Sequence, residues 1–142
     1  MTEQKQNVSL ASLLTPSKTV TVDYPTLNGF SVDLCYLARE ELIKLRSRCV
    51  SQKLNRKTRA FEETLDEDKF LTEYCKAVIK GWKGLKYKYL EELLLVDISG
   101  LEPEDELAFS VENAETLMKN GADFDTWVTE VTGDLENFTK TK

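Results

Sequence analysis

With 142 residues the chain is long enough to bury a core without disulfides or a structural metal, and it carries a formal net charge of -6 and no histidine. The missing histidine removes the commonest general base, the usual partner of a nucleophilic serine or cysteine and the most frequent zinc ligand, so most enzyme classes lose their best candidates. Charge is unevenly spread: residues 1–61 hold ten Lys or Arg and five Asp or Glu, while residues 62–142 hold nine and twenty, giving +5 against -11.

One domain spanning 1–142 is expected, with residues 1–7 and 139–142 as loose ends. The opening residues lack the charged-then-apolar plan of a signal peptide, and no apolar run approaches the roughly 18 residues that span a bilayer, so a cytosolic protein without membrane contact is expected. Cys35, Cys49 and Cys75 form no CxxC pair, which points to buried reduced thiols. Val8 to Leu14 is a short apolar piece stopped by Pro16 and reads as a helical turn docked on the body. Lys18 to Tyr24 and Phe30 to Tyr36 alternate as two strands joined by a turn at Pro25 to Gly29.

From Ala38 to about Leu54 the stripe Leu42, Leu45, Cys49 predicts a helix with an arginine and lysine outer face. The string Arg46, Arg48, Lys53, Arg56, Lys57, Arg59 is suited to phosphates, yet no aromatic is interleaved for stacking; a solvated face is preferred, with no nucleic acid as partner. Residues 58–63 link it as a short extended segment. The spacing of Phe70, Leu71, Tyr74, Cys75, Val78, Ile79 and Trp82 then predicts one long amphipathic helix from Asp66 to Gly84, capped by Asp66 and stopped by Gly84. Residues 86–96 fit a strand or a helical turn equally well, and Asp97 to Glu106 is an acidic loop without the ligand spacing of a calcium site. Ser110 caps a helix through Val111, Ala114, Leu117 and Met118. Asp123 caps a last one whose stripe is Phe124, Trp127, Val128, Val131, Leu135 and Phe138. The expected fold is thus mainly α within an α+β class: a compact helical domain of four or five helices with a small N-terminal β-hairpin.

No glycine-rich phosphate loop and no metal-ligand cluster is present, so no catalytic, cofactor-binding or metal residue is assigned. A binding or assembly protein follows. Its candidate contact residues, chosen for their chemistry, are Trp82, Leu85, Tyr87, Tyr89, Leu94 and Trp127, with burial in the core as the competing account of both tryptophans.

Three pieces of the second half, VIKGWKGL (78–85), FSVENAETLM (109–118) and FDTWV (124–128), followed by Asn137 and Phe138, resemble the tail assembly chaperones of long-tailed bacteriophages. The acidic approach at Glu104 to Glu106 departs from the pattern. The resemblance implies a non-enzymatic protein of the host bacterial cytoplasm, absent from the mature virion, without cofactor. It implies binding to the tape measure protein, which is kept soluble, and recruitment of tail tube subunits; self-association fits the opposed charges of the two halves. A minor structural tail or tail-completion protein is the competing assignment, and a small nucleic-acid-binding regulator a third.

Overall fold

A computed structural model describes residues 8–139; the loose ends expected at 1–7 and 139–142 lie outside the described residues except for Thr139, which ends a short helix. Ser17–Asp23 (β1) and Ser31–Leu37 (β2) form the expected antiparallel hairpin, with Val20 opposite Leu34 and Val22 opposite Val32. β2 is the central strand, and its residues are buried at Val32, Leu34 and Cys35 because both of its edges are paired and a helical layer covers it.

The second edge of β2 is taken by a strand the periodicity had assigned to helix. The central helix α3 covers only Glu67–Val78, after a short α1 (Leu10–Leu13) and α2 (Arg39–Ser47); Ile79–Lys83 then leaves the helix as strand β5. β5 runs antiparallel to β2, with Ile79 opposite Leu34, Gly81 opposite Asp33 and Trp82 opposite Val32; Lys80 is bulged out of the register. The cause is a competition. Ile, Trp and Gly are poor helix formers, whereas the open β2 edge supplies ladder hydrogen bonds and an apolar face for the same residues. Gly81 fits because a β-carbon there would stand 2.9 Å from Asp33 Oδ2. Gly84 does adopt positive φ (79°), but at the end of a strand, and a β-carbon would lie 1.9 Å from the Gly29 carbonyl oxygen.

The expectation of a mainly helical domain with one small hairpin is therefore corrected: the described residues are 43% helix and 25% strand, in two separate sheets, which makes this a mixed α+β fold. The second sheet also replaces a predicted helix. α2 stops at Ser47, and Val50–Asn55 (β3) pairs antiparallel with Ala60–Leu65 (β4). From Val50 onward every second residue (Val50, Gln52, Leu54) falls on one face with its apolar ends four apart, a spacing that the Leu45 and Cys49 stripe before it had carried into the helix.

Behind the three-stranded sheet lie α3, Tyr87–Leu93 (α4), Val111–Asn120 (α5) and Ala122–Thr132 (α6), with Glu136–Thr139 (α7) closing the described chain. Phe30, Val32, Leu34, Val78, Leu85, Phe124, Val128 and Phe138 are almost wholly excluded from solvent. Asp66 and Ser110 cap α3 and α5 as expected, accepting from the Lys69 and Asn113 amides at 3.0 Å each. Asp123 does not cap α6, whose N-cap is Gly121; it sits in the first turn, where its charge meets the helix dipole favourably. α6 also ends at Gly133, so Leu135 falls off the stripe and is half exposed, while Phe138 returns to the core from α7.

Candidate functional site

Five of the six contact residues named from sequence serve the fold. Leu85 is fully buried. Trp82 is half-buried against Phe109, ring centroids 5.1 Å apart at 90°, and its Nε1 donates to the Leu107 carbonyl at 3.0 Å. Trp127 packs edge-on to Tyr24 at 4.8 Å. The Tyr89 hydroxyl donates to the Asn28 carbonyl at 2.6 Å, tying α4 to the β1–β2 turn, and Tyr87 is half-buried on the core. Leu94, half-buried on the core as well, lines with Leu95, Val96, Thr116 and Asn120 a recess of about 440 Å³ where α4 ends beside α5. Leu95 stands out into solvent over its whole surface.

The residues that carry the sequence resemblance converge in the same way: Val78, Leu85, Ala114, Leu117, Met118, Phe124, Val128 and Phe138 belong to one cluster. They encode how the body packs. A surface for partners has to be sought where apolar side chains are left uncovered.

Three such places occur among the described residues. The first is the N-terminal segment. The docked cap expected at Val8 to Leu14 is not docked: every residue from Val8 to Leu14 is exposed and α1 buries none of its side chains. The chain rejoins the body only at Pro16, whose carbonyl accepts from the Ala38 amide at 2.9 Å, and a hollow of about 280 Å³ opens between Ala11, Leu14, Pro16 and Ala38. One turn further along α2, Leu42 and Ile43 are exposed as well. α2 is too short to bury the predicted stripe; Leu45 is its only buried residue.

The second place is the β3–β4 arm. Its register puts Val50 with Leu65 and Leu54 with Phe61 on one face, separated by the polar pair Gln52 and Glu63, and Ser51, Lys53, Glu62 and Thr64 on the other. The apolar face is half-buried at its root, yet Phe61 is 70% and Leu54 55% exposed near the tip. The basic string read as one helix face is split by this geometry. Arg46 and Arg48 lie at the end of α2, whereas Arg56, Lys57 and Arg59 crown the arm. The Asn55 side chain builds the crown by accepting from the Lys57 and Thr58 amides, and Arg59 turns it with φ 59°.

The third is the recess beside Leu94, on the acidic side of the molecule. Residues 91–106 hold seven carboxylates and no lysine or arginine. Part of this loop is pinned: Glu104 meets Lys88 at 2.6 Å and Lys86 at 2.9 Å, and their hydrogen bonds hold its carboxyl down to about 2. Glu106 accepts from the Gly84 amide at 3.0 Å. Glu91, Glu92 and Asp97, within three residues of Leu94 to Val96 along the chain, are exposed.

The Cys75 thiol is pushed up to about 11 by burial, with the Glu115 charge adding to it, the opposite of an activated nucleophile. Among the described residues no group of three or more His, Cys, Asp or Glu is placed to hold a metal ion, and no helix is long and apolar enough to cross a membrane.

No curated protein and no solved structure matches the chain. The family model described as YdaY prophage protein matches residues 39–142, from the start of α2 through α7, and so takes in the arm, the acidic loop and most of the core. The chain is phage-derived and belongs to the YdaY prophage protein family.

Proposed function

We propose that this protein is a phage tail assembly chaperone that binds the tape measure protein, keeps it soluble and helps recruit tail tube subunits. The observation that carries the proposal is the uncovered segment Val8 to Leu14, with Val8, Leu10, Leu13 and Leu14 each more than half exposed beside the open hollow under Ala11. Membership of a prophage family and the resemblance at 78–85, 109–118 and 124–128 support a role in tail morphogenesis.

The physical logic is that of a helix-binding surface. A long helical client exposes an apolar stripe until the tail tube surrounds it, and a short apolar segment held off a stable body is free to lie along that stripe. Each leucine covered in this way contributes roughly 1.5–3 kcal/mol. The chaperone works in the host bacterial cytoplasm and leaves before the virion is finished.

Co-expression with the tape measure protein tests this. Wild type is expected to move the client from pellet to supernatant. Leu10→Asp with Leu13→Asp is expected to lose that effect with an unchanged melting curve, since neither side chain is buried. Equal solubilisation by the double variant, or none by wild type, overturns the proposal. Mass spectrometry of purified particles separates it from a structural tail protein, which stays in the virion.

A further inference from the structure

We infer that the β3–β4 arm is a plug for a second copy of this chain, seated in the recess at Leu94, Leu95 and Val96, so that copies join in an open head-to-tail series. The inference is independent of where the client binds.

A two-stranded hairpin is marginal by itself in water and gains its stability from something packed on its apolar face. Here the strands pack substantially on each other alone, and Leu54 and Phe61 are left open next to three cations, Arg56, Lys57 and Arg59, that make no ion pair among the described residues. The arm therefore asks for a partner with an apolar hollow beside carboxylates. The same molecule carries that complement elsewhere. The recess has about 440 Å³ of room, Leu95 of its lining is uncovered, and the exposed Glu91, Glu92 and Asp97 lie within three residues of Leu94 to Val96 along the chain, with no lysine or arginine between residues 91 and 106. Asp97 is held in its charged form by hydrogen bonds from Ser99, so it is available as an anion.

Plug and socket are different surfaces of one chain, which makes the contact heterologous: each bound copy leaves one free plug and one free socket, and growth continues until the rotation closes. Charge steers the approach and the apolar pair supplies the lasting contact, so association weakens with salt without vanishing. A self-complementary face would instead stop at a dimer.

Light scattering on the full chain over a concentration series tests this with four samples: wild type, Phe61→Asp, Leu95→Asp and an equal mixture of the two variants. Both altered side chains are exposed, and melting curves check that the fold is kept. Wild type is expected to grow in mass beyond a dimer as concentration rises, each variant to stay monomeric, and the mixture to stop at a one-to-one dimer built from the intact socket of one and the intact plug of the other. A wild type monomeric throughout, a variant that still polymerises, or a mixture that stays monomeric overturns the inference. A monomeric wild type whose capture of the tape measure protein or of DNA is lost in Phe61→Asp reassigns the arm to that partner and equally overturns it. Tape measure solubilisation by Phe61→Asp reads the client-binding proposal separately, since that variant keeps Val8 to Leu14.

Discussion

The two β-hairpins of this chain have the same topology and opposite fates. β1–β2 places Val32 and Leu34 under the helices and takes a third strand on its far edge, while β3–β4 has no third strand and keeps only its root half-buried. The difference lies in what each sequence offers around the strand. β2 is followed, 42 residues after its last residue Leu37, by Ile79 at the start of a segment able to pair with it, and it is covered by Phe124 and Val128 of α6 and Val78 of α3. β3 and β4 gather Val50, Leu54, Phe61 and Leu65 on one face, and among the described residues nothing covers Leu54 and Phe61 near the tip. A hairpin is thus a core element or an arm according to whether another part of the chain is shaped to cover it, and an arm kept with an apolar face points outward to a partner.

Substitutions of phenylalanine divide the two regions most sharply. Phe124→Ala removes a fully buried ring that stacks near Phe30 and Tyr24, and is expected to cost about 3–5 kcal/mol in urea unfolding, whereas exposed Phe61→Ala should stay within about 0.5 kcal/mol. Comparable losses at both positions would mean that the arm is folded into the cooperative unit.

Gly84→Ala comes next. It forces a β-carbon into the Gly29 carbonyl and a side chain into positive φ, so a loss of about 2 kcal/mol or more is expected. Gly100→Ala also has positive φ (86°) but meets open space, and about 1 kcal/mol should suffice there. Equal effects would show that backbone strain alone, and not the close approach of β5 to the β1–β2 turn, sets the need for glycine.

Ser110→Ala should cost about 1 kcal/mol, because the Asn113 amide loses its cap at the start of α5.

The smallest effect concerns the acidic loop. The Glu104 carboxyl is lowered from 4.5 to about 2 by the Lys88 and Lys86 hydrogen bonds. A carboxyl depressed in the folded state stabilises above its unfolded value and ceases to do so as pH falls through its folded one. The loop's attachment to Lys86 and Lys88 should therefore weaken between about pH 4.5 and 2. Because the pair is solvent-exposed, the global melting point should barely move, and the change is best read from the Glu104 carboxyl resonance by NMR. A midpoint near 4.5 would show that the pairs do not persist in solution.

Local signals in the sequence were decisive where one physical preference stood unopposed. Asp66 and Ser110 each directly precede a helical period, and both cap. The alternation from Lys18 to Tyr36 admits only strands. Ambiguity arose where one residue set satisfies two periods. Val78, Ile79 and Trp82 continue the α3 stripe as well as they form a strand, and nothing local reports that β2 has an open edge. The candidate contacts suffered from the same blindness. Trp82, Tyr89 and Trp127 are chemically suited to a partner, yet each finds its partner within the chain.

Composition and spacing alone determined that the chain has no histidine, that its charge is divided between its halves, where α5 begins, and that the first hairpin forms. These are properties of single residues or of neighbours within a few positions, and they survive any arrangement of the rest. Only the tertiary structure decided that Ile79–Lys83 is a strand, that Val50–Leu65 is an arm, and that Val8 to Leu14, Phe61 and Leu95 remain uncovered. Burial is settled by what arrives from elsewhere in the chain, and a leucine carries no mark in the sequence of whether anything will arrive.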